Sequence, residues 1–294
     1  MILNETYHLS NNIEIPKLGL GTWFINNKDA AGAVREAVKL VYRLIDTAQA
    51  YNNEAGVGEG IRTCGVSREE LFVTSKIAAE AKSYADAKKA ICDILSKTGL
   101  DYLDLIIIHA PQPWKKWRNR TQRYFRENIE VWRALEEAYK AGKVKAIGVS
   151  NFLEDDLQNI LDHCEIRPMV NQVLCHISNT PAELISFCKN NGILVESYAP
   201  IAHGKMLKNK EVIALANKYD VSVSQLCIRY DLQLGTVVLP KTANPVHMKE
   251  NAAVDFKISD ADMQMLKNIA PIKGYGLLKV MPVFSGKESI PKFV

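Results

Sequence analysis

The stretch Arg43-Leu-Ile-Asp-Thr-Ala-Gln-Ala-Tyr51 decides how this 294-residue chain folds. A short apolar run ends in an aspartate, and a tyrosine follows in the next turn. The ending recurs downstream: Leu71-Phe-Val-Thr-Ser-Lys76 closes on a lysine and Leu105-Ile-Ile-Ile-His109 on a histidine. A titratable group placed where a buried strand runs out of apolar residues is the signature of a parallel-stranded barrel, which builds its active site at the C-terminal ends of its strands. An acid (Asp46), a phenol (Tyr51), an ammonium (Lys76) and an imidazole (His109) gathered there form a proton-delivery apparatus, so the chain reads as an enzyme.

Outward from that stretch, strand-like runs alternate with helical patterns at 17–21, 43–46, 71–75, 103–108, 144–149, 169–173, 194–197 and 237–239. Val34, Ala37, Val38 and Val41 keep helical spacing, as do Leu157, Ile160, Leu161 and Cys164. Such alternation implies an α/β fold with right-handed crossovers, and eight repeats close into a (β/α)8 TIM barrel. Two short runs flanking Asn11-Asn12 predict an N-terminal β-hairpin that plugs the barrel bottom. Thr180-Pro181-Ala182-Glu183 reads as N-cap, first turn and capping glutamate, Asn151 as the cap of a helix entered at Glu154, and Asn244-Pro245 as another helix start. No linker or repeat interrupts residues 1–294, which read as one domain.

A hydrophobic content of 47% supplies a large core, and a net charge of +4 is too small to indicate a nucleic-acid partner. The six cysteines lack ligand or disulfide spacing and read as reduced core residues, with no metal site. The N-terminus has no signal-peptide pattern and no apolar run is long enough to span a bilayer, so a cytoplasmic protein without membrane attachment is expected. No Gly-x-Gly-x-x-Gly follows a strand; the Gly56-Val-Gly58-Glu-Gly60 cluster sits inside a helical pattern.

The fragments Leu20-Gly-Thr-Trp23, Ile45-Asp-Thr-Ala-Gln-Ala-Tyr51, Phe72-Val-Thr-Ser-Lys76, Gly148-Val-Ser-Asn-Phe152 and Leu239-Pro-Lys-Thr242 resemble, in order along the whole chain, the aldo-keto reductase family and its short bacterial-type members. The resemblance implies a barrel that binds NADP(H) without a Rossmann motif and reduces aldehydes or ketones. It makes Tyr51 the proton donor, Lys76 the cation that lowers the phenol's pKa from its reference of ~10, Asp46 the partner of Lys76, and His109 the group that orients the carbonyl. It places Gly21, Thr22, Asp46, Ser150, Asn151 and Gln172 at the cofactor, with Ser150, Asn151 and Gln172 on the nicotinamide carboxamide, and stacks Tyr198 on the ring. Lys241 and Thr242 match the 2′-phosphate position and Asn251 the adenine position, while Asn244 and His247 stand where the family usually carries arginines. That departure predicts NADPH use with weakened discrimination against NADH. Trp23 and Trp114 wall the substrate pocket, the partner is a small carbonyl compound, and a monomer is the family expectation.

Singly, each catalytic candidate has a plainer explanation. Tyr51 can be a rim aromatic, Lys76 a snorkelling strand-end lysine, His109 a satisfied core histidine and Asp46 a turn anchor. Their joint occurrence in matching motifs outweighs those readings. The segment Trp114–Arg126 interleaves basic residues with aromatics; a solvated loop is the plain reading, and steering of anionic substrates the functional one. Two rival functions remain open at this point: a Schiff-base barrel using Lys76, and a non-catalytic NADP(H)-binding, redox-sensing or partner-binding subunit on the same scaffold.

Overall fold

The computed structural model describes residues 1–119 and 121–285. Strands β1 (Thr6–His8) and β2 (Glu14–Pro16) pair antiparallel as the expected hairpin. Eight parallel strands follow: β3 (Gly19–Gly21), β4 (Leu44–Asp46), β5 (Phe72–Ile77), β6 (Leu103–Ile108), β7 (Val144–Ser150), β8 (Val170–Leu174), β9 (Leu194–Tyr198) and β10 (Val237–Leu239). Each pairs with its sequence neighbour, and the bridges Leu18–Val238 and Gly21–Lys241 join the last strand to the first, closing the barrel. Burial on both faces explains why runs such as Leu105–Ile108 and Val237–Leu239 read as unbroken Val, Ile and Leu instead of alternating with polar residues.

Leu44, Phe72, Leu105, Ile107, Ala146, Met169, Val170, Val237 and Leu239 pack with Leu9 and Ile15 of the hairpin in one cluster. The hairpin therefore plugs the N-terminal end and leaves the C-terminal end open. Ile106 and Ile108, of opposite parity on β6, pack instead with the surrounding helices. Those helices are α1 (Asn27–Lys39), α2 (Glu54–Thr63), α3 (Tyr84–Thr98), α4 (Phe125–Lys140), α5 (Glu154–Leu161), α6 (Ala182–Asn190), α7 (Lys210–Lys218), α8 (Val223–Gln233), α9 (Pro245–Ala252) and α10 (Asp260–Lys267).

The glycine cluster on α2 serves packing. A Cβ on Gly56 would lie 2.1 Å from the Asn27 carbonyl oxygen, and one on Gly58 2.0 Å from that of Thr98. Bare glycine faces let α2 approach the start of α1 and the end of α3.

Three local expectations are corrected. α6 begins at Ala182, and the Thr180 hydroxyl is taken by the His176 carbonyl and the Tyr230 hydroxyl instead of capping the helix. Asn151 does not cap α5, which starts at Glu154; it adopts φ 62° and turns its side chain inward. Cys164 lies beyond the end of α5. Asn244 does cap α9, accepting from the Val246 N–H. Of the cysteines, all free, Cys175, Cys188 and Cys227 are buried, Cys64 and Cys164 partly so, and Cys92 is exposed, so the expectation of core residues holds for half of them. Among the described residues no helix is long and apolar enough to cross a membrane, and no group of three His, Cys, Asp or Glu could hold a metal ion.

Candidate active site

Parallel register brings the strand-end groups together. Asp46 ends β4 beside Gly21 and Thr74, and Lys76 sits further along β5. Lys76 is fully buried, and its Nζ donates to Asp46 Oδ1 (2.6 Å), Asp46 Oδ2 (2.7 Å) and the Thr47 carbonyl (2.8 Å). Thr22 ties the end of β3 to the same place, its hydroxyl donating to the Asp46 carbonyl oxygen. Thr22 is wholly buried and braces the strand end; it does not reach the cavity wall.

Tyr51 lies in a short turn after β4, and the Lys76 ammonium stands 4.8 Å from its ring centroid. The acid, cation and phenol are thus assembled, but the electrostatic sign differs from expectation. Burial, and then the Asp46 carboxylate, raise the Tyr51 phenol well above its ordinary value. All three ammonium donors go to Asp46 and Thr47, so Lys76 is largely neutralised where it stands and makes no hydrogen bond to the phenol. Tyr51 accordingly keeps its proton across the ordinary pH range. His109, with its ring centroid 5.7 Å from that of Tyr51, is held well below its ordinary value by burial and then by Lys76. It is therefore a neutral imidazole, and its Nδ1 is buried without a hydrogen-bond partner.

These groups open on a cavity of about 750 Å³ at the C-terminal mouth, lined by Gly21, Trp23, Asp46, Tyr51, His109, Trp114, Ser150, Asn151, Gln172, Tyr198 and Lys241 among others. On its floor the Ser150 hydroxyl donates to the Gln172 carbonyl, Asn151 Nδ2 donates to the His109 carbonyl and to Ser150 Oγ, and Asn151 Oδ1 accepts from the Tyr198 hydroxyl at 2.7 Å. Gln172 Nε2 donates to Asp46 Oδ1 at 2.9 Å. Left-handed backbone at Phe24, Asn52, Asn151, Ala199 and His203, all in segments that follow strands, concentrates strain around this mouth.

Thr242, Asn244, His247 and Asn251 do not line the cavity. Asn244 and His247 are exposed at the start of α9 and Asn251 is buried on the same helix. Trp114 touches His109, ring centroids 5.1 Å apart. Among the described residues the rest of the basic loop contributes nothing to the wall: Trp117 is buried and Arg123 is paired with Asp155 and Asp156, while Arg120 lies outside the described residues.

Sequence reasoning missed His203 and the tail residues Leu278, Met281, Pro282, Val283 and Phe284, which close one side of the cavity. Phe284 stacks on Trp23 (5.7 Å) and meets His203 edge-on (4.5 Å). Tyr275, whose hydroxyl lies 2.7 Å from His176 Nε2, anchors the tail to the barrel. The tail carries no helical or strand periodicity that would place it at the mouth, and Gly286 and the residues after it fall outside the described residues.

Residues 17–271 match the model of the aldo/keto reductase family. A glyoxal reductase of Bacillus subtilis is 42% identical over 266 residues, spanning 90% of this chain and 92% of that protein. A glycerol 2-dehydrogenase (NADP(+)) of Saccharomyces cerevisiae is 37% identical, spanning 90% and 91%. Among solved structures, an aldo/keto reductase of Brucella melitensis superposes with TM-score 0.82 at 35% identity over 90% of this chain and 98% of that one. A Bombyx mori aldo-keto reductase in complex with NADP gives 0.79 at 30% identity over 90% and 92%. A closed eight-stranded barrel with a phenol, a buried Lys–Asp pair and an imidazole at its mouth, in a chain this similar to such proteins, makes this protein an oxidoreductase of the aldo/keto reductase family.

Proposed function

We propose that this protein is an NADPH-dependent reductase of neutral, predominantly apolar aldehydes and ketones, with Tyr51 as the proton donor. The observation that carries the reading is the meeting of Tyr51 and His109 in one cavity above the buried Lys76–Asp46 pair. The residues present fit the cofactor. The Gln172 side-chain oxygen makes no hydrogen bond among the described residues, and Lys241 offers an exposed cation at the cavity edge. In this reading Gly21, Ser150, Asn151, Gln172 and Tyr198 hold the nicotinamide end, Lys241 and Thr242 the 2′-phosphate with Asn244 and His247 beside it, and Asn251 the adenine. When bound, NADPH supplies the hydride that adds to the carbonyl carbon. The neutral His109 donates a hydrogen bond to the carbonyl oxygen and orients it, and Tyr51 transfers its proton to that oxygen as charge builds there. In this reading the enzyme acts as a monomer, since one chain supplies every group the reaction needs, and it works in the cytoplasm.

Lys76 is inaccessible and fully committed to Asp46 and Thr47, which removes the Schiff-base alternative. No feature of the site favours a non-catalytic subunit.

Cofactor choice rests on Lys241. Lys241→Ala is expected to raise the KM for NADPH by about tenfold, the worth of one charge-assisted contact, and to leave that for NADH unchanged. Wild-type preference for NADPH over NADH is expected to be modest because Asn244 and His247 add no fixed charge; a ratio of kcat/KM in the thousands would contradict this.

The substrate side of the wall is Trp23, Phe24, Trp114, Leu278, Met281 and Phe284, and Lys241 is its one cationic residue among those described. His203, also in the wall, is lowered to about 4 by burial and then by Lys241, and so is neutral. An aromatic aldehyde should therefore be reduced with higher kcat/KM than its carboxylated analogue, with little dependence on salt. A preference for the anion that fades as salt rises would restore steering by Lys115 and Lys116.

A further inference from the structure

Glu196 takes no part in the chemistry above, yet it lies fully buried on β9. Its Oε2 accepts from Gln172 Nε2 at 2.7 Å, and the same nitrogen donates to Asp46 Oδ1. Its Oε1 is buried without any hydrogen-bond partner among the described residues. An amide nitrogen has two N–H donors and its oxygen has none. With both donors of Gln172 committed to carboxyl groups inside the barrel, the amide oxygen is left for the cavity that Gln172 lines. The charged groups acting on Glu196 are Asp46 from β4 and Lys76 from β5. Gln172 from β8 is neutral, and Val237, opposite Glu196 on β10, is apolar.

We propose that Glu196 is a positioning residue for the nicotinamide: with Asp46 it holds the Gln172 amide so that its oxygen accepts from the cofactor's carboxamide N–H, and as a carboxylate it favours the oxidised, positively charged ring over the reduced one. This rests on the reading of Gln172 as the carboxamide's partner. Two carboxyl groups here share one ammonium, so the local charge is balanced when Glu196 carries a proton and negative when it does not. Burial, and then Asp46, push the Glu196 carboxyl up to about 7, against the Gln172 hydrogen bond and Lys76, which lower it. Glu196 therefore loses its proton through the neutral range, and the affinity for NADP+ relative to NADPH rises as it does. By linkage, bound NADP+ promotes that ionisation equally.

Equilibrium titrations of the full chain with NADPH and NADP+, from about pH 6 to about pH 9, read this directly. In the wild type the ratio of NADP+ to NADPH affinity is expected to rise about fivefold across the range, the scale of a modest coupling. Glu196→Gln keeps an acceptor for Gln172 but cannot ionise, so it should bind both cofactors with a flat ratio. Glu196→Leu removes the acceptor and should weaken both by about fivefold, the worth of one hydrogen bond. A third probe, the 3-acetylpyridine analogue of NADP+, lacks the carboxamide N–H. It should bind the wild type more weakly than NADP+, and that difference should shrink in Glu196→Leu. Persistence of the pH-dependent ratio in Glu196→Gln, or an undiminished analogue difference in Glu196→Leu, overturns the proposal. Equal binding of NADP+ and the analogue by the wild type overturns the reading of Gln172 itself. Thermal melts of each variant separate loss of binding from loss of fold.

Discussion

Tyr51→Phe is expected to lower kcat for carbonyl reduction by about a thousandfold, within the range of a lost general acid, while NADPH binding is retained. The phenylalanine ring preserves the packing against Trp23 and His109 and the contact with the Lys76 ammonium. What disappears is the phenolic proton beside His109. His109 cannot take over, because burial and the Lys76 charge keep its imidazole unprotonated. Steady-state reduction of an aromatic aldehyde, with NADPH fluorescence titration alongside, measures both halves. If the variant keeps more than about a tenth of wild-type kcat, the proton comes from elsewhere and Tyr51 is a wall residue.

The largest effect on stability is expected for Lys76→Met, about 3–5 kcal/mol. The ammonium is wholly buried and the Asp46 side chain is 5% exposed, so removing the cation strands a carboxylate that water cannot reach. Gln172 is then its remaining side-chain donor. Adding Asp46→Leu to Lys76→Met should recover much of the loss, because replacing both members of a buried pair by apolar groups is far less costly than breaking it. Urea denaturation of the two singles and the double gives the coupling as a double-mutant cycle. Independent, additive losses would mean that the pair is not coupled and that the barrel end relaxes to admit water. Catalysis should fail in both Lys76 variants, separating the pair's role in the reaction from its role in the fold.

The chemistry of the site was legible because these polar groups stand where the apolar runs of buried parallel strands give out. Asp46, Lys76 and His109 therefore announced themselves against apolar runs. Asn244 was read correctly as a helix cap because that role depends on a hydrogen bond within its own chain segment. Asn151 was misread for the opposite reason: its partners, the His109 carbonyl and the Tyr198 hydroxyl, lie on other strands, and no local pattern reveals them. Phe284 stayed hidden because the tail that carries it has no periodicity, and His203 because it lies in an irregular segment after β9; their contacts with Trp23 form only across the finished mouth.

The order of residues was enough to settle an eight-stranded barrel, its hairpin plug, and the acid, phenol, cation and imidazole at one end, since period and strand-end polarity are local properties. Only the closed barrel decided the protonation of those groups. Closure removes water from Tyr51, His109 and Glu196, sets Asp46 against the phenol and Glu196, and sets Lys76 against the imidazole, so the phenol is raised where the motif by itself suggested it would be lowered. It also joins Gln172 to Asp46 across 126 positions of sequence, a contact that desolvation makes consequential and that no reading along the chain could supply.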